Sequence, residues 1–338
     1  MTEHKIVVSL ADRSYPVIVG SGVSNQLQTL IPKTAKRAAI VTQQKIPLKV
    51  NLEIESTTIT IGDGEQHKNL QTIESISQQF AKFGLTRSDV VIGVGGGMVT
   101  DVAGFAAASW HRGTAVIHLP TTLVGMVDAA IGGKTGVNLD QGKNLVGAFW
   151  QPTAVICDVE SLKTLPERET RCGLGEVAKY HFLSGDDLLA IELPERIARC
   201  VQIKAEIVSA DEREQGGRAV LNYGHTLAHA LERSSSFALA HGEAVAIGMI
   251  FAAHLARFMN RIDDDRLAYH YKVIRDTYRL GVELPKTIKR SDLVGLMRLD
   301  KKAIDGLTFV LDGKNGIEIV SGVDEKYIDQ AFNAMQVI

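Results

Sequence analysis

The sequence has no long apolar run. Its longest apolar stretch, from Ala244 to Ala253, has ten residues, whereas a helix that spans a membrane needs roughly 20. The N-terminus also lacks the basic segment followed by an apolar one that is typical of a signal peptide. We therefore expect a cytoplasmic protein that does not cross a membrane.

The sequence also has few cysteines and little net charge. The chain has 3 cysteines in 338 residues, and their lack of C-x-x-C spacing excludes a zinc-ribbon signature and suits buried thiols in a reducing compartment. The formal net charge of −2, without a block rich in lysine and arginine, argues against a general binder of nucleic acids. A chain of this length exceeds one ordinary core, so we expect two domains, or one large domain with an appendage.

The hydrophobic pattern changes along the chain. The first half alternates short β-rich runs with helical patterns, which predicts an α/β domain with a parallel sheet. Its predicted strands are Lys5–Leu10, Val17–Val19, Ala38–Val41, Thr57–Ile61, Val90–Val94 and Ala115–Leu119. Its predicted helices are Asn69–Phe83 and Met98–Ala108. Long amphipathic stretches dominate from about Glu167, which predicts a mostly helical second domain. These stretches are Pro194–Asp211, Thr226–Glu232, Glu243–Asn260 and Arg266–Leu280, followed by a possible hairpin of Leu307–Leu311 and Gly316–Val320.

A glycine-rich turn follows the predicted strand Val90–Val94. The residues after it, Gly95, Gly96 and Gly97, precede a predicted helix whose first backbone N–H groups could hold a pyrophosphate. The dinucleotide fingerprint G-x-G-x-x-G fails here, because Met98 stands at the third glycine position. The alternative is a tight turn that needs glycine only for positive φ.

A polar, glycine-rich segment follows. Asp128, Lys134, Asn138, Lys143 and Asn144 lie among several glycines, a composition that is poor for helix or strand and predicts a loop. Lysines and amides together suit a phosphate or a polyhydroxy ligand. A solvated loop with no ligand is the alternative.

Candidate metal ligands lie in the second half. A catalytic zinc needs three protein ligands and an open position, and Glu176, His225 and His241 each stand beside a glycine and an apolar helical stretch. His225 and His229, four residues apart, could also chelate a metal as a pair or be ordinary core histidines. The H-E-x-x-H pattern of zinc peptidases is absent. Thr226 follows the first histidine and Ala228 precedes the second, and neither residue is the glutamate that the pattern requires.

With these stretches in view, the chain resembles the 3-dehydroquinate synthases, which are sugar phosphate cyclases, over nearly its whole length. The matching stretches are DGEQHK (63–68), GVGGGMVTDVAGFAAASWHRG (93–113), LPTTLVGMVDAAIGGKTGVN (119–138), GKNLVGAFWQP (142–152), TLPERE (164–169), GLGEVAKY (173–180), KAEIVSADERE (204–214), LNYGHTLAHALE (221–232), HGEAVAIGM (241–249) and MRLDKK (297–302). Small departures exist, such as Gly175 where many members have alanine.

The resemblance implies a Rossmann-like NAD-binding α/β domain over residues 1–165 and an α-helical metal- and substrate-binding domain over residues 166–338. It implies that zinc, or cobalt, is held by Glu176, His225 and His241. The implied NAD contacts are Asp63, Glu65, Lys68, Gly95, Gly96, Gly97, Asp101, Thr121, Thr122, Lys134 and Lys143. The implied substrate contacts are Asp128, Lys134, Asn144, Lys179, Lys204, Arg218, Asn222 and His229, with Lys302 or Lys301 on the phosphate and Arg112 reaching across a homodimer interface.

The implied reaction converts 3-deoxy-D-arabino-heptulosonate 7-phosphate into 3-dehydroquinate and phosphate, in the shikimate pathway. NAD⁺ would oxidise the substrate transiently, phosphate would be eliminated, the ketone would be reduced again, and ring opening would lead to an intramolecular aldol closure. Alternatives are another sugar phosphate cyclase, such as a 2-deoxy-scyllo-inosose, valiolone-type or aminodehydroquinate synthase, a polyol dehydrogenase of the glycerol dehydrogenase type, and a non-catalytic NAD- or metal-binding regulator.

Overall fold

The computed structural model describes residues 3–48, 50–235, 239–300 and 307–335. The chain divides into two units. Unit 1 contains Met1–Pro166 and Leu189–Arg213, and unit 2 contains Glu167–Leu188 and Glu214–Ile338. The predicted functions of residues 1–165 and 166–338 stay predictions.

Unit 1 is built on a parallel sheet with one antiparallel edge. The strands of the unit are β1 His4–Val8, β2 Tyr15–Gly20, β3 Arg37–Gln43, β4 Glu55–Ile61, β5 Val90–Gly95, β6 Ala115–Pro120, β7 Lys134–Leu139, β8 Gly142–Phe149 and β9 Ala154–Asp158. Its main sheet has the order β1-β2-β9-β6-β5-β3-β4. The pairing of β1 with β2 is antiparallel, and the other neighbours are parallel. The predicted α/β class and the strands predicted for this sheet are confirmed, whereas β9 was not predicted.

Both faces of this sheet are covered, which explains its continuous apolar strands. Neighbouring residues of a strand point to opposite faces, and Val90 and Val91 of β5 accordingly belong to two different hydrophobic clusters. The helices of unit 1 are α1 Leu27–Leu30, α2 Leu70–Phe83, α3 Gly97–Ser109 and α5 Leu193–Ala210. The last of these packs against β1 and β2.

The predicted loop of residues 128–144 is wrong over most of its length, because β7 and β8 pair there as an antiparallel hairpin. Val137 of β7 is buried in the cluster that includes α3, and Val146 of β8 packs against the same cluster. Gly136 and Gly147 face each other, and a Cβ at Gly147 would lie 2.0 Å from the carbonyl oxygen of Thr135. Glycine is therefore needed here because the two strands lie so close together. From composition alone, the same glycines indicated a loop.

Unit 2 is mostly helical, as predicted. Its helices and strands are α4 Glu167–Ser184, α6 His225–Ser234, α7 His241–Phe258, α8 Asp264–Tyr271, α9 Arg290–Asp300 and α10 Glu325–Met335, with β10 Leu307–Leu311 and β11 Glu318–Val323. Almost all of α7 is buried, and it contacts α4, α6, α8 and α10. The amphipathic stretch predicted at Arg266–Leu280 forms α8 and a π-helical continuation, Lys272–Thr277. The predicted terminal hairpin is confirmed, since β10 and β11 pair antiparallel.

Within the described ranges, none of the helices combines the length and the apolar character that crossing a bilayer would require.

Candidate functional site

Glu176, His225 and His241 meet inside unit 2. Glu176 lies within α4, His225 is the first residue of α6, and His241 is the first residue of α7. Nε2 of His241 lies 2.9 Å from Oε1 of Glu176, and Nε2 of His225 lies 3.4 Å from the same oxygen. One potential ligand atom from each residue lies within 4.8 Å of the others. This arrangement suits three donors around a single ion.

Close contact between α4 and α7 places two of these residues. A Cβ at Gly175 would lie 2.3 Å from the carbonyl oxygen of Gly242, and a Cβ at Gly242 would lie 1.8 Å from that of Cys172. Real Cβ atoms do not approach backbone so closely, so only glycine permits this contact. Because Gly175 precedes Glu176 and Gly242 follows His241, the contact sets the distance between the carboxylate and the imidazole.

A second pair of glycines places His225. Gly224 precedes α6 with a φ of 80°, in the left-handed region that favours glycine. A Cβ at Gly248 of α7 would lie 1.9 Å from the carbonyl oxygen of Gly224. The start of α6 can therefore lie directly against α7. The glycine that accompanies each candidate ligand in the sequence thus has a reason in the packing of the backbone.

Each histidine of the cluster has a partner for its other ring nitrogen. Nδ1 of His225 lies 3.1 Å from the carbonyl oxygen of Tyr223, which requires an N–H on Nδ1 and leaves the lone pair on Nε2. Nδ1 of His241 lies 3.4 Å from Oε2 of Glu232. Such partners orient imidazole ligands in metal sites. Sequence reasoning missed Tyr223 and Glu232, although the position of Glu232, two helical turns after His225, was a usable signal.

Charge also favours a cation at this cluster. Burial alone would raise the pKa of the Glu176 carboxyl, but Lys179 and the neighbouring histidines outweigh it and hold that pKa well below its usual range. Nζ of Lys179 lies 2.5 Å from Oε2 of Glu176. Burial lowers the pKa of His225, which keeps its ring neutral as a ligand must be. The set of one carboxylate and two imidazoles fits a catalytic zinc with an open position.

His241 differs from His225 in its charge. Burial would lower the pKa of His241, but the neighbouring carboxylates of Glu176 and Glu232, through hydrogen bonding and charge, outweigh burial and raise the pKa to about 10. In the metal-free protein, His241 is therefore protonated at neutral pH. A metal ion would replace that proton on the same nitrogen.

The turn that leads into His225 carries further predicted site residues. Arg218 and Asn222 lie in the 3₁₀ turn Gly217–Asn222, with Arg218 buried and Nδ2 of Asn222 donating to Oε1 of Glu214 at 2.8 Å. His229 lies one turn beyond His225 in α6, and the centroids of the two rings are 5.6 Å apart. The structure thus brings His225 to Glu176 and His241, and leaves His229 beside them as a separate, half-buried group.

The glycine turn of unit 1 is shaped by packing. None of Gly95, Gly96 and Gly97 has positive φ, so the alternative explanation of their role is wrong. Instead, a Cβ at Gly95 would lie 2.4 Å from Cγ2 of Val99, and a Cβ at Gly96 would lie 3.0 Å from Cγ2 of Thr122. Glycine is therefore required in this turn by the close approach of neighbouring side chains, and the turn leads directly into the N-terminus of α3.

Thr121 and Thr122 follow β6, and Thr121 bonds to this turn. The backbone N–H of Thr121 donates to the carbonyl oxygen of Gly95 at 2.9 Å, and Oγ1 of Thr122 accepts from the N–H of Gly125 at 3.1 Å. Predicted cofactor residues from β5 and from the end of β6 therefore meet at one edge of the sheet.

Lys68 joins three parts of unit 1. Its side chain is buried, and Nζ lies 2.5 Å from Oδ2 of Asp101 and 2.6 Å from Oδ1 of Asn144. Burial raises the pKa of Asp101 in spite of the lysine. Asn144 has a φ of 55°. The structure therefore brings together residues predicted for NAD and for the substrate.

Asn138 forms hydrogen bonds with residues on both sides of the Lys68 contact. It donates from Nδ2 to Oε2 of Glu65 at 2.6 Å, and its Oδ1 accepts from the backbone N–H of Asn144 at 3.0 Å. Its own backbone N–H donates to the carbonyl oxygen of Lys68 at 2.8 Å. The hairpin of β7 and β8 is thus tied to the segment of residues 63–68. Asp63 itself is exposed and lies 3.2 Å from Lys45 in an ion pair.

Lys204 and Asp128 form another buried pair in unit 1. Nζ of Lys204, on α5, lies 2.8 Å from Oδ1 and 2.6 Å from the carbonyl oxygen of Asp128. Asp128 lies in a π-helical turn, Gly125–Ala129. Such turns are frequent at functional sites.

The remaining predicted residues lie at the surface or outside the described part of the chain. Lys134 begins β7 and is exposed, Lys143 lies near the start of β8, and Arg112 is exposed in a turn after α3 with a φ of 63°. Lys301 and Lys302 lie outside the described residues.

Two family profiles match this chain in succession. The one described as 3-dehydroquinate synthase N-terminal matches residues 58–172, and the one described as 3-dehydroquinate synthase C-terminal matches residues 173–303. The chain belongs to the 3-dehydroquinate synthase family. The resemblance read from the sequence is therefore confirmed.

Individual relatives also match this chain over most of its length. A 3-dehydroquinate synthase of Mycobacterium leprae is 43% identical over 89% of this chain and 90% of its own. A protein of Amycolatopsis mediterranei, provisionally named an aminodehydroquinate synthase, is 50% identical over 98% of this chain and 94% of its own.

Two solved structures share the fold. A 2-deoxy-scyllo-inosose synthase complexed with carbaglucose-6-phosphate, NAD⁺ and Co²⁺ has a TM-score of 0.87 and 25% identity, covering 98% of this chain and 100% of that one. A 2-epi-5-epi-valiolone synthase from Streptomyces hygroscopicus with NAD⁺ and Zn²⁺ bound has a TM-score of 0.83 and 25% identity, covering 97% and 98% of the two chains.

Proposed function

We propose that this member of the 3-dehydroquinate synthase family converts 3-deoxy-D-arabino-heptulosonate 7-phosphate into 3-dehydroquinate and phosphate, with NAD⁺ and a divalent metal as cofactors. The observation that carries the proposal is the cluster of Glu176, His225 and His241, whose donor atoms lie within 4.8 Å of one another. A chain that had lost the activity of its family would have no need to keep a carboxylate and an imidazole, Glu176 and His225, buried beside the third donor His241, since such burial is costly without a ligand.

In this proposal Glu176, His225 and His241 hold zinc or cobalt. The bound metal supplies a Lewis acid that polarises a substrate oxygen. The protein's own residues prepare for it: Tyr223 keeps the lone pair of His225 on Nε2, and the ion pair with Lys179 keeps Glu176 ionised. Lys179 is a proposed substrate contact that also stabilises negative charge as it develops.

The proposed NAD site lies in unit 1. The N-terminus of α3, after Gly95–Gly97, offers backbone N–H groups to a pyrophosphate. Lys68 pairs with Asp101, and the backbone N–H of Thr121 bonds to the turn, with Thr122 beside it in the proposed set. Asp63, Glu65, Lys134 and Lys143 complete the proposed set. Both solved relatives named above contain NAD⁺, which supports this assignment.

The proposed substrate contacts provide positive charge and hydrogen-bond donors within each unit. Unit 1 supplies Asp128, Lys134, Asn144, Lys204 and Arg112, and unit 2 supplies Lys179, Arg218, Asn222, His229 and Lys302 or Lys301. Lysine and arginine donors suit a phosphate dianion, because hydrogen bonds between charged groups are the strong ones. His229, beside His225 yet outside the ligand set, is proposed for the phosphate. Arg218 and Asn222 lie in the 3₁₀ turn that precedes α6.

A homodimer and a cytoplasmic location belong to the same proposal. Arg112 is exposed at the end of a turn, from which it would reach the substrate of a partner subunit. Cys157, Cys172 and Cys200 are free and buried, which suits a reducing compartment.

One incubation tests the proposed activity. The purified protein is mixed with the heptulosonate phosphate, NAD⁺ and Zn²⁺, and phosphate, 3-dehydroquinate and NADH are followed together. We expect phosphate and the carbocycle in equal amounts with no net NADH. Net NADH would indicate a dehydrogenase, and phosphate without the carbocycle would contradict the proposal.

A second candidate is an aminodehydroquinate synthase, which would act on an amino analogue of the same substrate. The observation in its favour is the 50% identity to the protein of Amycolatopsis mediterranei, compared with 43% to the synthase of Mycobacterium leprae. The two substrates are best compared in competition within one reaction, because the ratio of their kcat/KM values then decides. A ratio that favours the amino substrate by tenfold or more would replace the first candidate by the second.

A further inference from the structure

Glu232 lies beside the metal cluster but has no assigned role. It is a buried residue of α6, 3% exposed, and its Oε2 lies 3.4 Å from Nδ1 of His241. His225 is on the same helix, two turns earlier, so the two side chains lie on one face. One face of α6 therefore offers both a ligand and a second carboxylate to the site.

The two ligand imidazoles have unlike partners. Nδ1 of His225 faces a neutral group, the carbonyl oxygen of Tyr223 at 3.1 Å, whereas Nδ1 of His241 faces a carboxylate. A carboxylate partner makes imidazole a stronger electron donor through its other nitrogen, and it orients the ring. Of these two ligands, His241 is therefore the one whose bond to a cation depends on a charge outside the ligand set.

The distance between Glu232 and His241 indicates how this partner acts. A charge-assisted hydrogen bond is normally about 2.7–2.9 Å long, so 3.4 Å is a poor hydrogen bond. Coulomb attraction falls only with the inverse of distance and survives this separation. The negative charge of Glu232, more than its hydrogen bond, is therefore the property that reaches the metal position.

We infer that Glu232 is a positioning residue whose negative charge, acting through the ring of His241, sets how tightly the cluster holds a divalent cation. The inference rests on the proposed function only in taking the cluster as a metal site. It makes Glu232 necessary for the affinity of the site without making it a ligand.

The test measures metal binding by the full-length protein in the absence of substrate. Glu232→Gln keeps the shape of the side chain and a hydrogen-bond acceptor but removes the charge, and Glu232→Ala removes both. After metal is stripped, Zn²⁺ affinity is measured by competition with a chromophoric chelator, and the absorption bands of the Co²⁺ form are recorded. We expect both variants to bind Zn²⁺ about 10–100-fold more weakly, with shifted Co²⁺ bands.

Glu243→Gln is the matched control. Glu243 is also an acidic residue at the start of α7, where its Oε2 accepts from the backbone N–H of Ala240 at 3.0 Å and lies 3.6 Å from Arg168. Its charge already has Arg168 as a cationic neighbour, and within the described part of the chain its side-chain partners are Ala240 and Arg168 and not a ligand ring. We therefore expect Zn²⁺ affinity within about twofold of the parent. Circular dichroism and NAD⁺ binding check that each variant is folded. If Glu232→Ala does not fold, Glu232→Gln decides the test.

Parent-like Zn²⁺ affinity and Co²⁺ bands in Glu232→Gln would overturn the inference. A loss of affinity in Glu232→Ala alone would overturn it too, because it would show a role in packing or hydrogen bonding instead of charge. Failure of the proposed function has a different signature: the parent would bind metal, with the expected Glu232 effect, and yet produce no 3-dehydroquinate.

Discussion

The backbone of Gly175 lies directly against that of Gly242. A Cβ at position 175 would lie 2.3 Å from the carbonyl oxygen of Gly242, and the neighbours of the two glycines, Glu176 and His241, are 2.9 Å apart through Oε1 and Nε2. The contact between the two helices therefore sets the distance between the donor atoms of Glu176 and His241 in the candidate metal centre.

Gly175→Ala should therefore damage this centre, although the resemblance gives alanine here for many family members. The added methyl would meet backbone, which cannot rotate away, so α4 and α7 must separate. We expect a loss of about 1–3 kcal/mol in unfolding free energy, and Zn²⁺ affinity reduced on the order of tenfold. Denaturant unfolding and chelator competition measure the two effects.

Gly295→Ala is the control for that variant, because a Cβ at Gly295 would meet nothing within 4 Å. It lies within α9, where alanine is favoured over glycine by about 1 kcal/mol, so stability should not fall. Parent-like metal affinity and stability in Gly175→Ala would show that the helices can part without cost.

Variants of the two neighbouring histidines of α6, His225 and His229, should differ in how much zinc they bind. His225→Ala should abolish stoichiometric zinc and turnover together, since it removes a ligand. His229→Ala should keep one zinc per chain, with weaker substrate binding or slower elimination. Metal content by mass spectrometry, followed by steady-state kinetics, distinguishes them. Equal loss of zinc in both variants would refute the division of roles.

The buried ion pair of Lys68 and Asp101 should couple stability to NAD⁺ binding. Lys68→Met leaves a largely buried carboxylate without its cation, which we expect to cost about 2–4 kcal/mol and to weaken NAD⁺ binding. The double variant with Asp101→Asn should recover part of that stability, as a double-mutant cycle reveals. Unfolding midpoints and NAD⁺ titrations give the two readouts.

Lys45→Met offers the matched comparison, because Lys45 pairs with Asp63 at an exposed position, where the lysine side chain is 85% exposed. Surface pairs contribute about 0–1 kcal/mol. A Lys68→Met variant no less stable than Lys45→Met would indicate that the buried pair carries little of the stability of unit 1.

Stability should also depend on pH through His118, a buried residue of β6. Burial lowers its pKa from 6.5 to about 4, so below pH 6.5 the unfolded chain binds a proton that the folded chain does not. Stability is therefore full above pH 6.5 and declines as the pH falls towards 4, by about 3 kcal/mol in total from this residue.

His118→Leu should flatten this dependence, because leucine has no proton to bind in either state. Urea unfolding at pH 7.5 and pH 4.5 compares the parent with the variant, and the difference between the two pH slopes isolates His118 from the other histidines. Identical slopes would contradict the lowered pKa.

Subunit mixing tests the proposed role of Arg112. An Arg112→Ala chain and a His225→Ala chain should each be inactive alone, but their mixed dimer should contain one site with both residues intact. We expect partial recovery of activity when the two are unfolded together and refolded. Size-exclusion chromatography confirms that dimers form, and dimers without recovered activity would place Arg112 in its own subunit's site.

The sequence by itself determined much of the fold. The strands of the main sheet from β1 to β6 and the helices α2, α3, α5 and α7 were predictable, because local hydrophobic periodicity reports which face of an element is buried. The long helix α4 was not among the predicted stretches. The hairpin of β7 and β8 was not predictable, because its glycines serve close contact between the two strands, whereas glycine in a sequence usually indicates a turn. Gly136 is read as a loop residue until its contact with Gly147 is known.

The chemical character of the site was likewise present in the sequence, since each candidate ligand stands beside a glycine. Only the tertiary structure decided that Gly175 contacts Gly242 and that Gly224 contacts Gly248, and so brought Glu176, His225 and His241 within reach of one ion. It also decided that Glu232 belongs beside His241. Residue type sets which ligand a side chain can bind, whereas the distance between side chains from separate helices is set by how closely their backbones pack.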